Sequence, residues 1–290
     1  MCAFTPGIVR LKCALHELPQ IQVVLSGKYL HGGWGNVKRQ KPAAGGSRNQ
    51  ENQAFSCQPL SLCAIAFPMP GIFCRRDLTE GLQRGPETVW KLLRDLLPGT
   101  RVICLNQVHA DRVIRGEDVP DGTFPEADGV ISMDPSMALC VRTADCVPVL
   151  MWDDDLPVTA AVHAGWRGLA LEIIPKAIAR MRSCGALSIH VSMGPSIGPC
   201  CYAVGQDVID ALHTEPDRVC EGRLFVDLHR VAMHQALCTG VDPGHIHQVQ
   251  SCTCCNREAF YSYRRDGELT GRNVSVIGGN SCSLPGLRAL

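Results

Sequence analysis

The chain has 290 residues, 28 basic and 28 acidic side chains that cancel, and 17 cysteines. That length supports one large core plus an irregular extension without staples, and zero formal net charge with no block of like charges argues against a role driven by nucleic acid or an anionic membrane. Cysteine-rich secreted proteins use disulfide frameworks, but the opening MCAFTPGIVRLKCALHELPQ lacks the uninterrupted apolar core of a secretory signal.

The longest apolar run, LSLCAIAFPMPGIF, is about half the length of a membrane span and carries two prolines. A reducing, cytoplasmic setting is therefore expected, with most cysteines acting as small hydrophobic residues in the interior.

Residues 1–75 read as an irregular segment. VKRQKPAAGGSRNQENQ is polar and breaks both helical and strand periodicity, as loops and disordered segments do. The texture changes near Gly85, where ETVWKLLRDLL places apolar residues at helical spacing before a Pro-Gly stop. A domain is expected over 76–280, with a short tail at 281–290.

Strand-like runs follow in order: RVICLNQV, DGVISM, ALCVRTA, CVPVLMW and PVTAAVH, separated by Pro, Gly and Asp turns. LALEIIPKAIARMRSC then reads as an amphipathic helix despite its proline, and SIHVSMG as a strand. GQDVIDALHT and DLHRVAMHQALCTG are helical in pattern, the latter opened by an N-cap aspartate. The expected fold class is α+β, a single domain with a mixed, mostly buried sheet and flanking helices.

Reactive residues cluster at the ends of these strands, where a rigid backbone meets an open rim. His109 follows one strand, Asp145 and Cys146 open another, and His163 ends a third before a glycine-bounded turn. Two imidazoles and a thiolate, if they converge, give three zinc ligands with a fourth position open, the pattern of catalytic zinc. The same residues also suit a thiol nucleophile, Cys146, activated by His109 or His163 and oriented by Asp145 or a carbonyl.

Arg167 in GWRG, and Arg264 and Arg265 in YRRD, could bind phosphate or carboxylate oxygens through paired N–H donors, or could form ion pairs, for instance with Asp266. MGPSIGPCCYAVG is a turn whose N–H groups could line an anion site, without the lysine or spacing of a P-loop. In SCTCCNREAFYSYRRDGELTGR, Cys252 and Cys255 form a C-x-x-C with no second pair at zinc-finger spacing, so its cysteines are read as packing residues near the pocket.

NQVHADRV, EADGVIS, TADCVPVL, AVHAGWRG, MGPSIGPCCYAVG and FYSYRRDGELTGR, in this order over roughly Glu87 to Gly278, resemble the YfiH-type family. Its members were long labelled multicopper polyphenol oxidase or laccase-like and are now described as zinc-dependent purine nucleoside phosphorylases. The resemblance implies a layered α/β/β/α domain in which His109, Cys146 and His163 bind the catalytic Zn2+. It also implies phosphorolysis of adenosine, inosine and 5'-methylthioadenosine, with phosphate as co-substrate and adenosine deamination as a second reaction.

On this reading Asp145 accepts a proton or orients a ligand, Arg167 and Arg264 are the substrate-binding candidates, and the protein acts on small molecules as a monomer or homodimer. Multicopper oxidases need many histidines, usually as His-x-His pairs; this chain has ten histidines and one such pair, His245 and His247, far in sequence from the candidate ligands. Copper uptake in vitro still fits soft Cys and His ligands. The region CAIAFPMPGIFCRRDLTEGLQRG departs from the family's pattern, which leaves a catalytically inactive binding module as a further reading.

Overall fold

The structure is a computed structural model. It describes residues 85–278 together with the backbone of four earlier strands, β1 (Ile8–Leu11), β2 (Ile21–Val24), β3 (Leu62–Ala66) and β4 (Gly71–Arg75). These strands fall within the stretch read from sequence as irregular; the rest of that stretch and the 281–290 tail lie outside the described residues.

The elements that follow are α1 (Pro86–Leu96), β5 (Arg101–Cys104), β6 (Val113–Arg115), β7 (Gly129–Ser132), β8 (Met137–Thr143), β9 (Val147–Asp153) and β10 (Thr159–Ala164). Next come α2 (Trp166–Ala170), α3 (Ile173–Ser183), β11 (Ile189–Met193), β12 (Ala203–Val204), α4 (Gln206–Ala211), β13 (Arg218–Cys220) and β14 (Arg223–Phe225). The chain closes with α5 (Leu228–Cys238), β15 (Ile246–Gln248), α6 (Tyr263–Asp266) and β16 (Asn273–Gly278).

Two mixed sheets carry the fold, in the orders β1-β2-β3-β4-β16-β8-β5 and β15-β11-β9-β10-β7-β6, with a small third sheet β12-β14-β13. Successive side chains of a strand point to opposite faces, and that alternation builds the layers. Leu139 and Val141 of β8 meet Leu150 and Trp152 of β9 and Ala161 of β10 between the sheets. Ala138 and Cys140, the alternate positions of β8, pack with Val89 and Leu93 of α1.

On the far side, Val149 and Met151 of β9 and Ala160 and Val162 of β10 pack with Ile174, Ile178 and Met181 of α3 and with Val231 of α5. The result is an α/β/β/α sandwich in which β8 and β9 are buried along their whole length, which is why they read as continuous apolar runs rather than alternating ones.

The expected helix over LALEIIPKAIARMRSC is two helices. The backbone turns left-handed at Glu172, with φ +58°, between α2 and α3. Pro175 therefore sits in the first turn of a new helix, where no backbone N–H is needed, instead of in the interior of a long one. α5 begins as read, with the Asp227 carboxylate accepting the N–H of His229.

Candidate metal centre

β5 and β8 pair in parallel, and the chain beyond β5 is pinned to β8 by one side chain. Gln107 donates to the carbonyl of Arg142 at 2.8 Å and accepts the N–H of Arg142 at 2.9 Å, imitating a strand pairing. His109 follows in a left-handed conformation, φ +60°, a region that ordinary side chains enter only when the surroundings dictate it.

Asp128 supplies that constraint. Its carboxylate accepts three successive N–H groups, of Val108 at 3.2 Å, His109 at 3.0 Å and Ala110 at 2.7 Å. It also bonds Nδ1 of His163 at 2.7 Å, with both side chains buried. Burial alone would raise the Asp128 pKa, but His163 and the N–H groups of Ala110 and His109 outweigh it and hold the carboxyl below the usual range. A carboxylate there fixes Nδ1–H on His163 and leaves Nε2 as the donor atom, the usual support behind a metal-binding imidazole.

His109, Cys146 and His163 converge: one donor atom from each lies within 4.8 Å of the other two, and the imidazole rings meet edge to face at 4.7 Å. A Cβ on Gly165 would stand 3.0 Å from Sγ of Cys146 and 3.4 Å from Cδ2 of His109, so the glycine keeps the turn after β10 clear of the donors. Burial would raise the Cys146 pKa, but the charge of His163 and hydrogen bonds from His109 and His163 bring it down to about 6. For His163, burial acts to lower the pKa, and the Cys146 thiolate and Asp128 carry it up to about 9. The donor set is soft sulfur plus two nitrogens, which suits zinc and also copper.

Asp145, the residue before Cys146, has φ +101° and is buried. Oδ1 accepts from the Thr253 hydroxyl at 2.6 Å and Oδ2 from the N–H of Arg264 at 2.7 Å. It thereby ties the β8–β9 turn to the CTCC turn and to α6. The two neighbouring arginines differ in kind. Arg265 pairs with Asp266 and donates to the carbonyls of Thr253, Cys254 and Phe260, a structural clamp. Arg264 lies exposed over the Tyr202 ring, its carbon 5.1 Å from the centroid, and donates to the carbonyls of Cys201 and Ala203.

Arg167 is exposed on α2 and stacks on Trp166. The Tyr202 phenol is half-buried and within electrostatic reach of Cys146, Arg264, Asp145 and Arg167. Burial first, then the two negative groups, push its pKa up against the arginines. Both arginines thus lie within electrostatic reach of the same phenol.

Gln107, Asp128 and Tyr202 carry no separate weight in the sequence reading, although each stands inside a motif quoted for the resemblance. The His245–His247 pair is elsewhere. Its rings stack with His190 and Trp152, apart from the His109 group. Of the CTCC cysteines, Cys252 and Cys254 pack against the core as expected, while Cys255 is exposed; Cys252 and Cys255 also gather with Cys200 and Cys201.

A four-layered α/β/β/α domain with a three-donor sulfur and imidazole centre at its strand ends defines the class. The family described as multi-copper polyphenol oxidoreductase laccase matches residues 87–280, and the chain belongs to it. Among relatives, purine nucleoside phosphorylase YlmD of Geobacillus stearothermophilus is 32% identical over 200 residues, covering 62% of this chain and 73% of that protein. Purine nucleoside phosphorylase slr1573 of Synechocystis is 32% identical over 247 residues, 73% of this chain and 91% of its own. The crystal structure of Neisseria meningitidis protein NMB0706 superposes with a TM-score of 0.64 at 30% identity, covering 75% of this chain and 98% of that one. Among the described residues no helix is long and apolar enough to cross a membrane.

Proposed function

We propose that the protein is a zinc-dependent purine nucleoside phosphorylase acting on adenosine, inosine and 5'-methylthioadenosine, with adenosine deamination as a second reaction. The observation that carries this reading is the convergence of His109, Cys146 and His163 with Asp128 locking the tautomer of His163, in a chain whose relatives are named purine nucleoside phosphorylase. Zinc held by these three residues would supply Lewis acidity and would lower the pKa of a bound water to about 7.

In phosphorolysis an oxygen of phosphate bonds to C1' of the ribose as the C1'–N9 bond breaks, and the purine departs with the bonding pair and takes up a proton. Arg167 and Arg264 hold the phosphate, their planar N–H forks matching its oxygens. Tyr202, kept neutral by its raised pKa, donates a hydrogen bond beside them. Asp145 fixes Arg264 through its backbone N–H and Thr253 through its hydroxyl, which sets the distance between phosphate pocket and metal ligands. The setting is cytoplasmic and the substrates are small molecules, taken by a monomer or homodimer.

Pure protein incubated with adenosine, with and without phosphate, tests this. Adenine and ribose 1-phosphate should appear only with phosphate, and inosine without it; neither product above background rejects the proposal.

One observation favours a second reading, a metal-free cysteine hydrolase. Cys146 and His163 are poised as thiolate and imidazolium, with pKa values of about 6 and about 9, the pairing used by thiol nucleophiles. Activity that survives a chelator and is abolished by a thiol alkylator selects it.

A further inference from the structure

Two turns carry to one point four cysteines that the proposed reaction does not use. Cys200 and Cys201 lie between β11 and β12, and Cys252 and Cys255 follow β15. The turns are joined by a parallel bridge between Ser196 and Cys252 and by the N–H of Thr253 donating to the carbonyl of Ser196 at 2.9 Å. All four sulfurs lie within 4.8 Å of one another. Sγ of Cys255 is 3.5 Å from that of Cys200 and 3.3 Å from that of Cys201.

Tetrahedral zinc with Zn–S bonds near 2.3 Å holds its sulfurs about 3.8 Å apart, so four thiols gathered at this spacing already approximate such a shell. Cys201 and Cys252 pack against the core, and two further features point to ligation beside that packing. Cys200 and Cys255 are exposed, whereas cysteines that serve as small hydrophobic residues are among the most buried side chains. The N–H of Gly198 donates to Sγ of Cys252 at 3.2 Å, the kind of outer support that stabilises a sulfur ligand. Gly198 packs closely on the cluster: a Cβ there would touch Sγ of Cys200 and Cβ of Cys252 at 3.4 Å each.

We propose that Cys200, Cys201, Cys252 and Cys255 form a second metal site, a closed four-thiolate zinc centre with a structural role. It is distinct from the His109, Cys146 and His163 centre and does not rest on the phosphorylase reading. Four protein ligands leave no position for substrate, so the site is a clamp. It joins the turn bearing Tyr202 and the Cys201 carbonyl, which holds Arg264, to the turn bearing Thr253, which holds Asp145. The wall of the candidate active site thus hangs on this knot. The sequence conceals it because one half is an adjacent Cys-Cys pair and the other a C-x-x-C about fifty residues later.

Zinc content per chain should be compared in protein purified under reducing conditions, for the parent, Cys146→Ala, and the double variant Cys252→Ser with Cys255→Ser. Each variant should lose one zinc, and the losses should be independent. Because the double variant could fail to fold, Cys146→Ala is also loaded with Co2+ in place of zinc; the intact cluster should give the intense sulfur-to-cobalt charge-transfer absorption of a four-thiolate site. Unchanged zinc in a folded double variant, no such band in Cys146→Ala, or parent protein lighter by two hydrogens from a disulfide among these cysteines would each overturn the proposal. Loss of zinc from Cys146→Ala reports on the first centre alone, so the two claims fail separately.

Discussion

At the scale of single residues, Asp128 organises the centre more than any ligand does, because one carboxylate holds three N–H groups and an imidazole at once. Asp128→Asn keeps the shape and removes the charge and one acceptor. Zinc affinity should fall by roughly 10–100-fold, the usual effect of losing such a partner, as measured by competition with a chromogenic chelator, with the far-ultraviolet spectrum unchanged.

The candidate ligands Cys146 and His163 give a pH signature in metal-free protein. The Cys146 pKa is depressed, so its charge contributes stability above the ordinary thiol value of 9.0, and that contribution is lost as pH falls through about 6. The His163 pKa is raised, so its contribution is complete below 6.5 and lost as pH rises through about 9. The ion pair therefore persists between about 6 and about 9. The rate of alkylation at Cys146, followed by peptide mass spectrometry, should have its midpoint near pH 6 and not near 9, and bound zinc should suppress it throughout.

His109, Cys146 and His163 were visible in the sequence as polar residues at strand ends; Asp128 was not. A buried aspartate within EADGVIS looks like a turn residue until the fold brings it to a histidine 35 positions away. Arg264 and Arg265 are adjacent and chemically alike, and only their contacts separate a structural clamp from an exposed guanidinium lying over Tyr202.

At the scale of elements, the strands and helices from α1 onward were largely legible because burial on both faces writes long apolar runs. The helix after His163 was not, since apolar spacing continues through Leu171 and Glu172 while the backbone reverses there. Glu172 is exposed, its side chain caps nothing, and its left-handed φ penalises any side chain with a Cβ. Glu172→Gly should therefore stabilise the protein by roughly 0.5–1 kcal/mol, read from the urea midpoint at constant slope; a loss of stability would contradict this account of the break. The four-cysteine knot was missed for a different reason. It is a contact between two turns, and short-range spacing carries no information about which turns a sheet bridge will join.

At the scale of the whole molecule, the two sheets form the platform, and the candidate centre sits where β7, β9 and β10 and the chain beyond β5 end together. Leu139 is wholly buried between the sheets with Leu150, Trp152 and Ala161. Leu139→Ala should cost about 2–5 kcal/mol in chemical denaturation, while leaving zinc content unchanged in the protein that remains folded. The pattern of strand-like and helical runs gave α+β, and the four layers were anticipated only through the family resemblance; the pairing of β16 with both β4 and β8, which sets the C-terminal strand inside the first sheet, has no local sequence signature.

The central claim is that three residues far apart in sequence make one metal centre. Zinc content of Cys146→Ala against the parent, measured by elemental mass spectrometry on folded, desalted protein, tests it most directly. One zinc fewer per chain in the variant is the result this account predicts, whatever the four-cysteine cluster holds. Equal zinc in the two proteins would contradict it.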